Sequence, residues 1–362
     1  MSRLKDQMTS NERLDAYFKG EEVDRLPAMP MIDSFGPKLA GRFHRFKRLS
    51  PENQVYVQKK CYEILGLDGL SIEYGLHGIG QACGTVLSDP EKEPQAVVKH
   101  RLSDLSEVDD LDPECVSRKN DPWMELCCRA CEMLVDEMGS VVGTSASLTG
   151  PMTIAASLYP ITKLLIASRK QPEAVHKLLR FSTDALKIIS EEFASIGVDI
   201  FICDPVASGE IISEKTYREL VLPYTKELAP AIQKHGVAMG YHICGNTTKI
   251  TEAMLESGCD MLSIDAKVDI ALAKSLGGDK MPIIGNVDPI HTMLLGTTED
   301  VEKEVLKCIN ICADSPNGYL ISTGCDIPID TDPENVLVFM DTVRKCGPVR
   351  IGEKPAFLHK FI

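Results

Sequence analysis

From residue 140 onward the sequence alternates short apolar runs with longer amphipathic stretches, and this beat limits the fold more than any single motif. Strand-like runs read at 140–147, 198–203, 237–242, 260–265, 281–286 and 319–322. Helical patterns separate them at about 172–195, 213–235, 247–257, 267–276 and 298–313. A last helix, 333–345, has Asp332 as its N-cap, Pro333 at its first position and Gly347 beyond its end. Upstream, 28–32 and 68–73 read as two more short strands, the second preceded by a helix at 51–66. Eight βα units in succession predict a parallel sheet closed into a (β/α)8 TIM barrel. Thr9 and Glu12 form a capping-box pattern that opens an N-terminal helical segment over 1–26. The acidic stretch 85–115, with its Asp109-Asp110-Leu111-Asp112-Pro113 run, reads as an insertion between strands two and three. The expectation is one domain over 1–362.

Composition then removes whole classes of function. A formal charge of −14 opposes nucleic-acid binding, whose affinity comes from neutralising phosphates. No run approaches 18 uncharged apolar residues and the N-terminus lacks an apolar signal core, so neither membrane spanning nor export is expected. Thirteen cysteines without a disulfide framework suit a reducing cytoplasm. One basic island breaks the acidic surface: Lys38, Arg42, Arg45, Lys47 and Arg48, a solvated face or an anion-binding flap. The glycines at 75, 78, 80 and 84 do not match a dinucleotide fingerprint. Cys128 and Cys131, three apart within a helical pattern and without a second pair nearby, read as a buried helix face.

Chemistry concentrates where strands end. His242 and Cys244 stand two apart as the 237–242 strand runs into Gly245-Asn246, so both side chains point the same way. Cys325 follows the 319–322 strand. One imidazole and two thiolates are zinc ligands; the thiolates cancel the dication's charge, and a fourth position stays open for substrate. In a barrel these ends share one mouth. Asp204, Asp265, Asn286 and Asp288 also follow strands, where a carboxylate serves either catalysis or helix capping.

At these residues the sequence resembles the uroporphyrinogen decarboxylase superfamily, over nearly the whole chain. The resemblance is carried by Asn11-Glu12-Arg13 through Asp24-Arg25-Leu26-Pro27 and by Thr149-Gly150-Pro151-Met152-Thr153. It continues in His242-Ile243-Cys244-Gly245-Asn246, Gly285-Asn286-Val287-Asp288-Pro289 and Gly324-Cys325-Asp326-Ile327-Pro328. The His-x-Cys with its late Cys is similar to the corrinoid-dependent methyltransferase branch, typified by methylcobamide:coenzyme M methyltransferase. That branch uses the set to bind zinc. The decarboxylases carry a histidine where Cys325 stands and an aspartate where Ile72-Glu73-Tyr74-Gly75 aligns, and only Lys38-Leu39-Ala40-Gly41-Arg42 echoes their arginine motif.

The resemblance implies a zinc-dependent methyltransferase that moves a methyl group between a corrinoid and a small thiol, folate or methylated compound. His242, Cys244 and Cys325 would hold the metal. Asp204, Asp265 and Glu73 would act in catalysis, orienting substrate or His242, and Asn246 and Asn286 would contact the cofactor. An Asp-x-His-x-x-Gly corrinoid motif is absent from the sequence, so the cobalt would arrive on a partner corrinoid protein. The branch often has an acidic residue two before the loop glycine, where this chain reads Gln81-Ala82-Cys83-Gly84. Two other readings stand beside it. One is a metal-independent decarboxylase using the basic island as its clamp; the other is a non-catalytic barrel that binds a corrinoid or tetrapyrrole.

Overall fold

The computed structural model describes residues 4–361. Its strands, in chain order, are β1 (Leu70–Glu73), β2 (Val86–Leu87), β3 (Val97–Lys99), β4 (Thr144–Thr149), β5 (Asp199–Cys203), β6 (Met239–Ile243), β7 (Met261–Ile264), β8 (Ile283–Val287) and β9 (Tyr319–Thr323). Seven of them form one all-parallel sheet in the order β1-β4-β5-β6-β7-β8-β9, and β2 pairs with β3 in a separate hairpin. The order follows the chain, each strand lying beside the one before it, and helices cover the outside.

The sheet is curled, with its two edges spanned by the 27–29 segment. The Met29 N–H donates to Ile321 O (2.9 Å), the Ile321 N–H to Pro27 O (3.0 Å), and the Asp68 N–H to Ala28 O (3.1 Å). The expected strand at 28–32 is reduced to the parallel bridge Ala28–Ile321, because Pro27 and Pro30 bring no N–H and cannot sustain a ladder.

β6, β8 and β9 are buried at every position, as parallel strands covered on both faces must be. Tyr241, Ile243, Leu262, Ile264, Ile283, Tyr319 and Ile321 are fully buried among them. The outer helices depart from the expected pattern in three places, the first being two further helices, Pro151–Leu158 and Ile161–Lys170, ahead of the one at 172–195. The 213–235 stretch is two helices, Glu214–Leu220 and Leu222–Gln233, because Pro223 lacks a donor and forces a break at Val221. The 247–257 stretch forms only one short helix, Thr251–Leu255, since the residues before it build a turn that serves the site. Cys127, Cys128 and Cys131 lie fully buried on helix Pro122–Met138. Among the described residues no helix is long and apolar enough to cross a membrane.

Candidate metal centre at the strand ends

The ends of β6 and β9 bring three soft donors together. His242 Nε2 lies 3.3 Å from Cys244 Sγ, which lies 3.5 Å from Cys325 Sγ. All three ligand atoms fall within 4.8 Å of one another. Zinc bonds of about 2.3 Å to sulfur and 2.0 Å to nitrogen place tetrahedral ligand atoms about 3.5–3.8 Å apart, so this spacing fits the ion with little movement. The protons tell the same story. The Cys325 thiol is pushed down to about 4, chiefly because Cys244 hydrogen-bonds to it, with burial opposing and His242 helping. Cys244 is pushed up by that same contact. A dication is the usual means of holding two neighbouring thiolates.

Two glycines make the convergence possible. Gly245 turns the chain after Cys244 at φ +81°, and a Cβ there would sit 2.5 Å from Glu210 Oε2. Gly324, just before Cys325, passes so close to the turn after β7 that a Cβ would meet the Ala266 nitrogen at 2.2 Å. That turn is a wedge between the two ligand loops. Asp265 locks it: Oδ2 accepts the Gly245 N–H at 2.8 Å, and Oδ1 accepts the Lys267 N–H at 2.9 Å. His242 itself is 1 % exposed. Its Nδ1 lies 3.1 Å from the Ser263 hydroxyl, and Phe201 stacks on its ring at 6.5 Å between centroids.

The remaining site candidates take varied places. Asp204 is fully buried, and its carboxylate accepts the N–H groups of Met152 (3.2 Å) and Thr153 (2.8 Å) and the Thr153 hydroxyl (2.6 Å). Those bonds cap helix Pro151–Leu158. Burial, set against those bonds, raises its carboxyl to about 6. Asn286 donates to the carbonyls of Asp265 (3.0 Å) and Val268 (2.8 Å), steadying the same wedge. Asp288 caps the turn beginning at Pro289. Asn246 is exposed, and its Oδ1 accepts the Thr248 N–H at 3.1 Å.

Glu73, at the end of β1, pairs with Lys47 at 3.1 Å. Lys47 is 6 % exposed and also donates to Asp33 O at 2.8 Å, so one member of the basic island points inward. Arg48 lies beside it, contacting His44 Nδ1 at 3.2 Å and pairing with Asp89; the others face elsewhere, Arg42 stacking on Phe46 and Tyr56, Arg45 pairing with Asp89 and Lys38 donating to Thr331 O. Asp326, next to Cys325, accepts the Ser34 N–H at 3.0 Å. Burial and the neighbouring Glu73 lift Asp33 to about 6, and burial and Asp33 lift Asp326 further. A cavity of about 70 Å³ opens beside this group, lined by His44, Lys47, Glu73, His77, Gln81 and Trp123 among others. A larger depression, about 470 Å³, is lined only by residues of helix Ile161–Lys170 and brings no reactive groups together. Ser263 and Asp33 carried no signal in the sequence, since neither belongs to a recognisable spacing.

The family model described as "Uroporphyrinogen decarboxylase (URO-D)" matches residues 9–346. The methylcobamide:CoM methyltransferase MtbA of Methanosarcina acetivorans is 26% identical over 337 residues, covering 91% of this chain and 95% of that protein. A methylated-thiol–coenzyme M methyltransferase of Methanosarcina mazei is 32% identical over 200 residues, covering 55% of this chain and 51% of that protein. In shape, the chain is similar to a solved methyltransferase from Methanosarcina mazei, with a TM-score of 0.79 and 24% identity, covering 93% of this chain and 98% of that one. With the match spanning nearly its whole length, the chain belongs to the uroporphyrinogen decarboxylase family.

Proposed function

We propose that this protein is a zinc-dependent methyltransferase that moves a methyl group between a corrinoid on a separate protein and a small thiol or methylated substrate. The observation that carries the reading is the His242, Cys244 and Cys325 cluster, whose donor atoms lie within 4.8 Å of one another. The full-length similarity to methylcobamide:CoM methyltransferases supports the corrinoid and the thiol. The bridge at Ala28 is read as the eighth stave of a (β/α)8 barrel, one domain over 1–362. In that frame 1–26 is an N-terminal extension, and the hairpin β2–β3 lies in an insertion. A cytoplasmic setting suits thirteen free thiols.

Zinc held by His242 Nε2, Cys244 Sγ and Cys325 Sγ would supply a Lewis acid with a position left for the substrate heteroatom. The chain's own residues do the rest. Gly245, Gly324 and the Asp265 carboxylate fix the two ligand loops before substrate arrives, so little ordering remains to be done on binding. Asp265 and Asp204 act as positioning groups, their oxygens engaged with backbone N–H donors. Asn286 supports the turn from below, and Asn246 at the exposed rim is left to meet the cofactor. Glu73 and Lys47, beside the cavity that Gln81 also lines, are the groups available to orient substrate.

The metal-independent decarboxylase reading leaves the sulfur cluster without a task and is not favoured. The test is protein-dependent demethylation of a methylated corrinoid, free or protein-bound, by a panel of thiols including coenzyme M, followed by its absorbance. Turnover that disappears in Cys325→Ala is expected. Inactivity toward every thiol, with decarboxylation of uroporphyrinogen instead, would reverse the assignment.

A further inference from the structure

We infer that Ser263 is the residue that makes His242 a metal ligand: its hydroxyl accepts the Nδ1–H and leaves the Nε2 lone pair facing the two sulfurs. The inference rests on the zinc reading above.

Neutral imidazole carries its proton on one nitrogen, and only the bare nitrogen binds metal. In His242 the nitrogen that approaches Cys244 Sγ at 3.3 Å is Nε2, so binding a metal beside that sulfur requires the proton on Nδ1. Nδ1 lies 3.1 Å from Ser263 Oγ. The partnership is written into the sheet: His242 on β6 and Ser263 on β7 are paired in register. Both side chains are buried, Ser263 completely and His242 to 1 % exposure, so water does not compete for the contact. A ring in such a place can still rotate about its χ2 and present the wrong nitrogen. Phe201, stacked at 21° on the ring from β5, restricts that rotation, and Ser263 decides which edge points where.

The choice of a hydroxyl has a chemical consequence. Metal-bound histidines usually hand their second N–H to a carboxylate, a carbonyl or water, and a carboxylate makes the ring more basic. Two thiolates already cancel a zinc dication. A neutral acceptor at 263 keeps the net charge of the centre at zero and preserves its Lewis acidity toward an incoming heteroatom. Ser263 is thus a positioning residue, acting through His242.

The metal-free protein and its zinc form test this together. Zinc affinity is measured by competition with a chromophoric chelator for wild type, Ser263→Ala and Ser263→Thr. Nitrogen chemical shifts of His242 are recorded without metal. Removing the hydroxyl should weaken zinc binding about 10–100-fold, and threonine should restore most of it. Wild type should show the proton on Nδ1 and Ser263→Ala should lose that preference. Unchanged affinity in Ser263→Ala, or an Nε2–H tautomer in wild type, overturns the inference. A wild type that takes up no zinc yet keeps its Nδ1–H tautomer would sink the zinc reading while upholding the role of Ser263.

Discussion

Two clusters of buried polar side chains lie at opposite ends of the same sheet, and they are built on different rules. Below β1, Asp68 is fully buried between two guanidinium groups, Arg13 Nη1 at 2.5 Å and Arg25 Nη1 at 2.5 Å, and also accepts the Ala28 N–H at 2.7 Å. Arg13 reaches on to Asp24, and Arg25 and Arg344 both reach Asp6. Hard charges are cancelled in pairs, and the network ties the first helix, the 24–28 segment and the last helix to the bottom of the sheet. Above β6 and β9 the donors are soft, and they are joined to one another by His242–Cys244 and Cys244–Cys325 contacts rather than by charge pairs. The lower cluster is complete without a ligand; the upper one is a group that could hold a metal ion. This is the division between stability at the lower face and chemistry at the upper one that barrels commonly show.

The largest effect is expected at Asp68. Asp68→Ala leaves two buried guanidinium groups short of a partner and should cost about 3–5 kcal/mol in denaturant unfolding. Zinc binding by the folded variant should be unaffected. Loss of metal there would mean that the two ends are not independent. At the upper end, zinc at about a hundred times its Kd should stabilise wild type by about 2.7 kcal/mol, read as a rise in Tm, with no rise in Cys244→Ser. A smaller effect is expected at the wedge. Gly324→Ala must move the Ala266 backbone, which should cost about 1–3 kcal/mol and weaken zinc at the same time.

Acidity separates the clusters by sign. Burial alone would raise Asp6, but its bonds to Arg25 and Arg344 outweigh that and hold it well below the usual carboxylate range; Asp24 is lowered likewise by Arg13. Such groups stabilise above the unfolded value of about 3.9, and their contribution is lost as pH falls through the folded values. Asp33 and Asp204, lifted to about 6 chiefly by burial, work the other way. Between about pH 4 and 6 the folded chain holds their protons more tightly, so stability should rise as pH drops through that window and fall below it. Unfolding measured across pH should show a maximum near about pH 4, at the foot of that window, flattened in Asp33→Asn. A monotonic decline from neutrality would contradict the assignment.

How far the sequence reached follows from what each feature needs. The repeating strands and helices were legible because hydrophobic period is local, and so was His242-x-Cys244, because two residues of one strand carry their own geometry. Cys325 was legible only through the rule that strand ends share a mouth. Asp204 and Asp265 stood out as carboxylates after strands, but their hydrogen bonds to Thr153 and Gly245 come from neighbouring units that no local pattern describes. Ser263 was invisible for the same reason, since the register between β6 and β7 is a property of the sheet. The basic island reads in sequence as either a solvated face or an anion-binding flap, and only the fold shows Lys47 turning inward to Glu73. The motif around Arg13 and Arg25, carried by the family resemblance, is explained by Asp68 and belongs to the frame.

The most direct test is the zinc content of protein purified without chelator from zinc-supplied cells, compared with Cys325→Ala, both verified as folded by thermal unfolding. About one zinc per chain in wild type, lost in the variant, is the predicted result. No zinc in either protein, or the same amount in both, would contradict the claim that the upper cluster is a metal centre.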